Sequence, residues 1–234
     1  FNESVDAFTL LEHLQQDTAR SYHFAFQASE DATFIGASPE RLFKRDGALL
    51  YSEALAATRP RGATLQEDKA LGEDLLSSKK DRHEHQLVLD RIMTLLGEFC
   101  SSISRDREIE VLKLRHCQHL LCKVGGQLIH PDCDAEVLAK LHPTPAVGGV
   151  PKEQALEWIA QLEDFDRGWY AAPVGWIGHD AVEFAVAIRS ALVQGDTVSV
   201  YTGAGIVPGS QPKAEWKEIE NKISDFRELF APEE

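Results

Sequence analysis

Two acidic pairs carry the first chemical signal. In "KKDRHEHQLV" Asp81 and Glu84 stand three residues apart, and in "EWKEIENK" Glu215 and Glu218 repeat that spacing, with Lys222 four residues beyond Glu218. Residues three or four apart share a helix face, so each pair presents two carboxylates side by side. Two such helices facing one another could hold Mg²⁺ through oxygen ligands and leave positions open for water and a substrate carboxylate. The same spacing also serves a solvated acidic face. His83 and His85 flank Glu84 but lie two apart and point away from each other on a helix, whereas a helical zinc pair needs an i, i+4 separation. "HCQHLLC", from His116 to Cys122, contains metal-binding residue types, but apolar residues on both sides favour a buried strand over a metal site.

An anion-binding signal sits nearby. Gly203 and Gly205 in "YTGAGIVPGS" let backbone N–H groups approach a ligand closely, although a lone G-x-G is common in turns. Arg189, in "FAVAIRS", ends an apolar run where a charged side chain needs a partner, either a bound anion or a structural carboxylate.

These residues need a scaffold, and the 234 residues with 43% hydrophobic content suffice for a sizeable core. The net charge of −14 excludes nucleic acid and anionic membrane as bulk partners, so an anionic substrate would need local cations. No apolar run is long enough to span a bilayer and no signal peptide is evident, which points to the cytoplasm. The four cysteines form no C-x-x-C pair and suit a reducing compartment. No segment signals an oligomeric state.

"SYHFAFQA" and "TFIGASPERLFKRDGALLYSEALAA" read as short strands, with "RDG" (Arg45 to Gly47) as a hairpin turn. Helices are expected over 66–78 and 80–101, where Leu71, Leu75, Leu87, Ile92 and Leu95 recur near helical spacing. "EIEVLKLRHCQHLLCKVGGQLI" reads as strand with a turn at Gly125–Gly126. Two helices then flank "HPTPAVGGVP", where proline and glycine argue against regular structure. Two β-rich runs turn at Gly195–Asp196, and one helix runs from near Lys213 through "AEWKEIENKISDFRELF". Strand runs followed by helix runs predict an α+β fold with antiparallel sheets packed against helices.

In this order, "SPERL", "RHEHQLV", "HPTPAVGG", "FDRGWYAAPVGW", "EFAVAIRSA" and "YTGAGIVPGSQPKAEWKEIENK" resemble the chorismate-utilising enzymes from about Tyr22 to Phe230. Within that family the chain is most similar to isochorismate synthases of the menaquinone type. The resemblance implies that Glu84 and Glu218 bind Mg²⁺, with Asp81 and Glu215 supporting through water. It implies that Arg189 pairs with the enolpyruvyl carboxylate of chorismate, aided by Tyr170 and the Gly205 backbone. The ring carboxylate would lie near Gly203 and Lys222. Glu40 in "SPERL" matches the general acid that protonates the departing C4 hydroxyl, a role that requires a raised pKa. His119, Thr144 and Ala146 match residues lining the substrate ring; for His119 a plain core histidine fits the sequence equally.

The resemblance covers only the C-terminal half of the family's α/β sandwich, so residues 1–234 are expected to form part of a single catalytic domain. With Phe1 in place of Met, a fragment or processed product is expected, with some apolar faces uncovered. The family's water-activating lysine, counted back from Glu40, would lie upstream of Phe1. Ala56 stands where aminodeoxychorismate synthases carry a nucleophilic lysine, which removes that covalent route. The expected reaction is Mg²⁺-dependent conversion of chorismate to isochorismate. Salicylate or anthranilate formation, or a non-catalytic chorismate-binding module, are the alternatives.

Overall fold

The structure, a computed structural model, describes residues 4–18 and 20–230. It opens with α1 (Ala7–Asp17), capped by Asp6, whose carboxylate accepts from the N–H groups of Phe8 and Thr9. Two hairpins follow: β1 (Tyr22–Ser29) with β2 (Ala32–Ser38), and β3 (Arg41–Asp46) with β4 (Leu49–Pro60), the second turning at Gly47 as its "RDG" signal predicts. Then come α2 (Leu65–Ser77), α3 (Lys79–Phe99), β5 (Cys100–Arg105), β6 (Glu110–Lys113) and β7 (Cys117–Leu128). Helices α4 (Asp134–Leu141), α5 (Pro145–Gly148) and α6 (Lys152–Leu162) lead to β8 (Pro173–Ile177), β9 (Ala181–Val186), β10 (Ser190–Gln194) and β11 (Thr197–Tyr201). The chain closes on α7 (Pro212–Lys222) and α8 (Ser224–Leu229).

The strands form two antiparallel sheets, as the α+β expectation requires. One has four strands in the order β1-β2-β10-β11, and the other has seven, β5-β7-β4-β3-β9-β8 with β6 also on β7. α3 lays Val88, Leu89, Ile92, Leu95 and Leu96 against Phe43, Leu50, Ala54 and Val124 of the larger sheet. Each such buried aliphatic side chain contributes about 1.5–3 kcal/mol. A second core packs Leu10 and Leu14 of α1 and Phe226 of α8 on Ile35, Ala37, Ala191 and Val193 of the smaller sheet.

The chain passes between the sheets twice. Pro39 and Glu40 link β2 to β3, and residues 187–189 link β9 to β10. Each link is bonded to the strand that leads into the other, from Val186 N–H of β9 to Glu40 O at 3.0 Å and from Ala37 N–H of β2 to Arg189 O at 3.0 Å. Arg189 therefore lies between strands, with φ +51°, rather than at the end of one.

Several expected boundaries move, each for a local reason. Ser78 ends α2 and caps α3, its hydroxyl accepting from Asp81 N–H, so the helices are separate and α3 stops before β5. Gly125 and Gly126 are no turn: they lie inside β7, opposite Tyr51 and Leu50 of β4. Their role is close approach, since a Cβ on Gly126 would come within 2.7 Å of Cys100 Sγ and 2.9 Å of Ser102 O. "HPTPAVGGVP" holds one helical turn, α5, because Pro145 occupies a first helical position where a missing N–H costs nothing. The final helix is divided at Ile223, where the carbonyl of Lys222 turns to accept from Arg189 Nη1 at 2.9 Å. α1, β5 and β8 have no counterpart among the elements expected from the sequence. Trp158, Leu162, Trp176 and Ile177 are exposed.

Two glycine substitutions test these assignments. Gly126→Val should destabilise by about 1–3 kcal/mol, because the crowding atoms belong partly to backbone. Gly97→Ala, on an exposed turn of α3 where a Cβ meets only Ile103 Cδ1 at 3.7 Å, should stabilise by about 0.5–1 kcal/mol. Denaturant midpoints of the two variants report both signs.

Candidate functional site

The links between the sheets and the face of α3 nearest them enclose the candidate site. Glu40 is 3% exposed and accepts from the Thr144 hydroxyl at 3.1 Å. Its neighbour Arg41 is engaged by Glu53 and Glu183, so Glu40 has no ion pair along the chain. Burial pushes its carboxyl up to about 7, against the opposing pull of the Thr144 bond and the Lys222 charge. A carboxylic acid that keeps its proton near neutrality can donate it.

Arg189 is also buried. Its Nη1 donates to the Lys222 carbonyl, and Nη2 lies 3.3 Å from Cys117 Sγ and 3.4 Å from His119 Nε2. The nearest carboxylate recorded is Asp225, on α8, at 3.9 Å. That is too long for the bidentate fork that would neutralise a guanidinium, and it favours anion binding over a structural ion pair.

Lys222 ties the remaining parts together. Its ammonium donates to Gly203 O at 3.0 Å and pairs with Glu218 at 2.6 Å. The phenol oxygen of Tyr170 lies 2.9 Å from where a Cβ on Gly203 would stand, and Glu84 Oε1 lies 2.8 Å from the corresponding point on Gly205. A side chain at either position would displace the ends of Tyr170 and Glu84, so glycine there leaves both groups where they stand. Tyr170 stacks on Tyr201 with centroids 5.8 Å apart, and burial raises its phenol to about 12. Ala146, on α5, packs against the main core beside Val147 and Tyr170.

The acidic pairs divide in two. Asp81 is bound by Arg59 at 2.6 Å and Glu215 by Lys80 at 2.6 Å, so both expected supporting carboxylates already hold a cation. Glu84 accepts from Ala57 N–H at 3.4 Å. Its carboxyl is pushed up to about 7 by burial first and then by the Glu218 charge, while Lys222 and Lys80 pull it down. A half-buried carboxylate whose proton is held by burial and by a neighbouring carboxylate suits a divalent, oxygen-seeking cation that would relieve the repulsion. Among the described residues no group of three or more His, Cys, Asp or Glu could hold a metal by itself. An ion at Glu84 and Glu218 would therefore complete its shell with water or ligand oxygens, as Mg²⁺ commonly does.

The histidines of α3 are scaffold. His83 is exposed, while His85 is fully buried with Nε2 3.0 Å from Ala54 O. His119 is buried between Arg189 and the Ala57–Thr58 backbone. Nor does "HCQHLLC" form a metal cluster: His116 lies against Asp225 and Glu228. The sequence reasoning missed Arg59, Lys80 and Asp225. Lys80 stands beside Asp81 in "KKDRHEH", a signal available but unused; the partners of Arg59 and Asp225 come together only in three dimensions.

A buried acid, a buried arginine that no carboxylate neutralises by a bidentate pair, and a lysine whose charge reaches Glu40, Glu84 and Glu218 are the parts a small polyanion would need. The chain belongs to the chorismate-binding enzyme family, whose description, "Chorismate binding enzyme", matches residues 1–230. It is 43% identical over 227 residues to the chloroplastic isochorismate synthase of Catharanthus roseus, covering 97% of this chain and 39% of that protein. To the isochorismate synthase MenF of Bacillus subtilis it is 40% identical over 224 residues, covering 95% and 47%. Its fold matches that of the menaquinone-specific isochorismate synthase MenF of Escherichia coli with a TM-score of 0.90 at 36% identity, covering 98% of this chain and 53% of that one. The chain spans about half the length of the curated relatives it matches. No helix among the described residues is long and apolar enough to cross a membrane.

The raised carboxyl of Glu40 has a consequence for stability. A carboxyl whose folded pKa lies above its unfolded value contributes stability that is complete below the unfolded pKa and is lost as pH rises through the folded one. For Glu40 that window runs from 4.5 to about 7. Glu40→Gln should gain stability relative to wild type across it, on the order of 3 kcal/mol at most. Denaturant melts of both proteins at pH about 4, 6 and 8 read the difference; a constant offset would remove Glu40 from the buried titrating groups.

Proposed function

We propose that the complete protein isomerises chorismate to isochorismate. The observation that carries this reading is Glu40, a buried acid held near neutral pKa beside Thr144 and in the field of Lys222. In this reading Arg189 receives the enolpyruvyl carboxylate as a planar fork, with Tyr170 beside it. The Gly205 backbone assists there, and the ring carboxylate lies toward Gly203 and Lys222. Water adds to C2 and its proton passes to a base; the ring double bonds shift, the C4–O bond breaks, and Glu40 gives its proton to the leaving hydroxyl, which departs as water. Glu84 and Glu218 would hold Mg²⁺, which, when bound, would neutralise the ring carboxylate. The base is assigned to a lysine upstream of Phe1, following the family resemblance.

Ala56 is buried and apolar, so this segment offers no amine nucleophile, which supports water as the attacking group. We place the product in menaquinone synthesis, on the strength of the chain's similarity to the menaquinone-specific MenF of Escherichia coli.

The complete protein, incubated with chorismate and Mg²⁺ with and without ammonium, should yield isochorismate in both cases. Anthranilate appearing with ammonium, or salicylate in either case, would assign a different member reaction. Glu40→Gln should keep chorismate affinity while turnover falls about 10²–10⁴-fold, since the amide preserves shape but delivers no proton. Arg189→Lys should instead act mainly on chorismate affinity, because an ammonium cannot reproduce the fork.

A further inference from the structure

One backbone position reaches both halves of the site. The pairing of β4 with β7 shifts register between Ala56 and Thr58, and Ala57 between them has φ +61°. A residue with a Cβ holds this left-handed conformation only when its surroundings enforce it, and an inserted residue of this kind is a β-bulge. The methyl group packs with Leu75 and Leu120. A regular strand residue would commit its N–H and C=O to a neighbouring strand. Those of Ala57 meet side chains instead: the N–H donates to Glu84 Oε1 at 3.4 Å, and the C=O lies 3.0 Å from His119 Nδ1.

The other ring nitrogen of His119, Nε2, lies 3.4 Å from Arg189 Nη2. A carbonyl oxygen has no proton to give, and a guanidinium has no lone pair to accept with. Only one arrangement satisfies both neighbours, with Nδ1–H donating to Ala57 and a bare Nε2 accepting from Arg189. Thr58 Oγ1, 3.2 Å from Nδ1, is compatible as a second acceptor. Burial, and after it the charges of Arg189 and Lys222, push the ring down to about 3, in keeping with a neutral imidazole.

We propose that the Ala57 bulge is a positioning element of the site: its N–H aims Glu84, and its C=O, relayed through the Nδ1–H tautomer of His119, holds Arg189. The metal carboxylate and the substrate arginine are thereby registered to one strained residue. The roles of Glu84 and Arg189 rest on the chorismate reading; the backbone geometry stands without it.

Long-range ¹H–¹⁵N spectra of the histidines test the relay directly. His119 should appear as the Nδ1–H tautomer at neutral pH and stay so in Ala57→Gly, which accepts the left-handed φ. In Ala57→Val, whose β-branched side chain disfavours it, the Nδ1–H resonance should move upfield as its carbonyl acceptor shifts away, with Nε2 still bare beside Arg189. An Nε2–H tautomer in the wild type overturns the proposal, as does an unchanged His119 signal in folded Ala57→Val. Where Ala57→Val fails to fold, His119→Phe keeps the ring shape and removes the acceptor. In the complete protein it should then weaken chorismate binding by about tenfold or more, the usual cost of a lost bond to a charged group; unaltered affinity overturns the proposal. A wild type that binds no chorismate overturns the functional reading instead, while the tautomer still decides the positioning role.

Discussion

The site depends on the way the two sheets exchange strands. Where the chain crosses from the smaller sheet to the larger one, Glu40 sits in the link; where it returns, Arg189 does. Hydrogen bonds from Val186 of β9 to Glu40 and from Ala37 of β2 to Arg189 tie each link to the strand that leads into the other and fix these backbone positions. Neither side chain is placed by a mobile loop, because each is a residue or two from a strand buried in a core. A buried acid and a buried cation need such rigid support, since an ionisable group without it would relax toward water.

Electrostatics then sets the division of labour. Lys222 pairs with Glu218, donates to Gly203, and lowers the pKa of both Glu40 and Glu84, yet burial still keeps these two carboxyls far above their usual range. Asp81 and Glu215 have their own cations in Arg59 and Lys80, and Lys80 also lowers Glu84. The four carboxylates that look equivalent by spacing thus differ: Asp81, Glu215 and Glu218 each hold a cation of the protein, while Glu84 has no salt bridge of its own and is held toward its protonated form.

Much of this was legible in the sequence. The two sheets, the "RDG" hairpin and the burial of the α3 face follow from alternation, turn chemistry and helical spacing. The identities of Glu40, Glu84, Arg189, Glu218 and Lys222 came from ordered motifs, because spacing alone cannot separate a ligand pair from a solvated face. What stayed hidden depends on contacts distant in sequence. Lys80 and Glu215 lie 135 positions apart, and no local rule pairs them. Gly125–Gly126 resembles a turn and is a strand, because glycine serves close approach as well as reversal. α1 was a different kind of miss: Asp6 as cap and Leu10 and Leu14 at helical spacing were there to be read.

The placement of charge also bears on how fast an anion could arrive. The chain carries −14 overall, yet Arg189 and Lys222 face inward at the cleft. An approaching anion therefore meets repulsion at long range and attraction only near contact. At physiological ionic strength the outer field is screened beyond about 8 Å, whereas the buried cations, shielded from mobile ions, keep most of their pull. Moderate salt, which slows association between opposite charges, should here flatten the outer barrier more than the inner well and so favour capture.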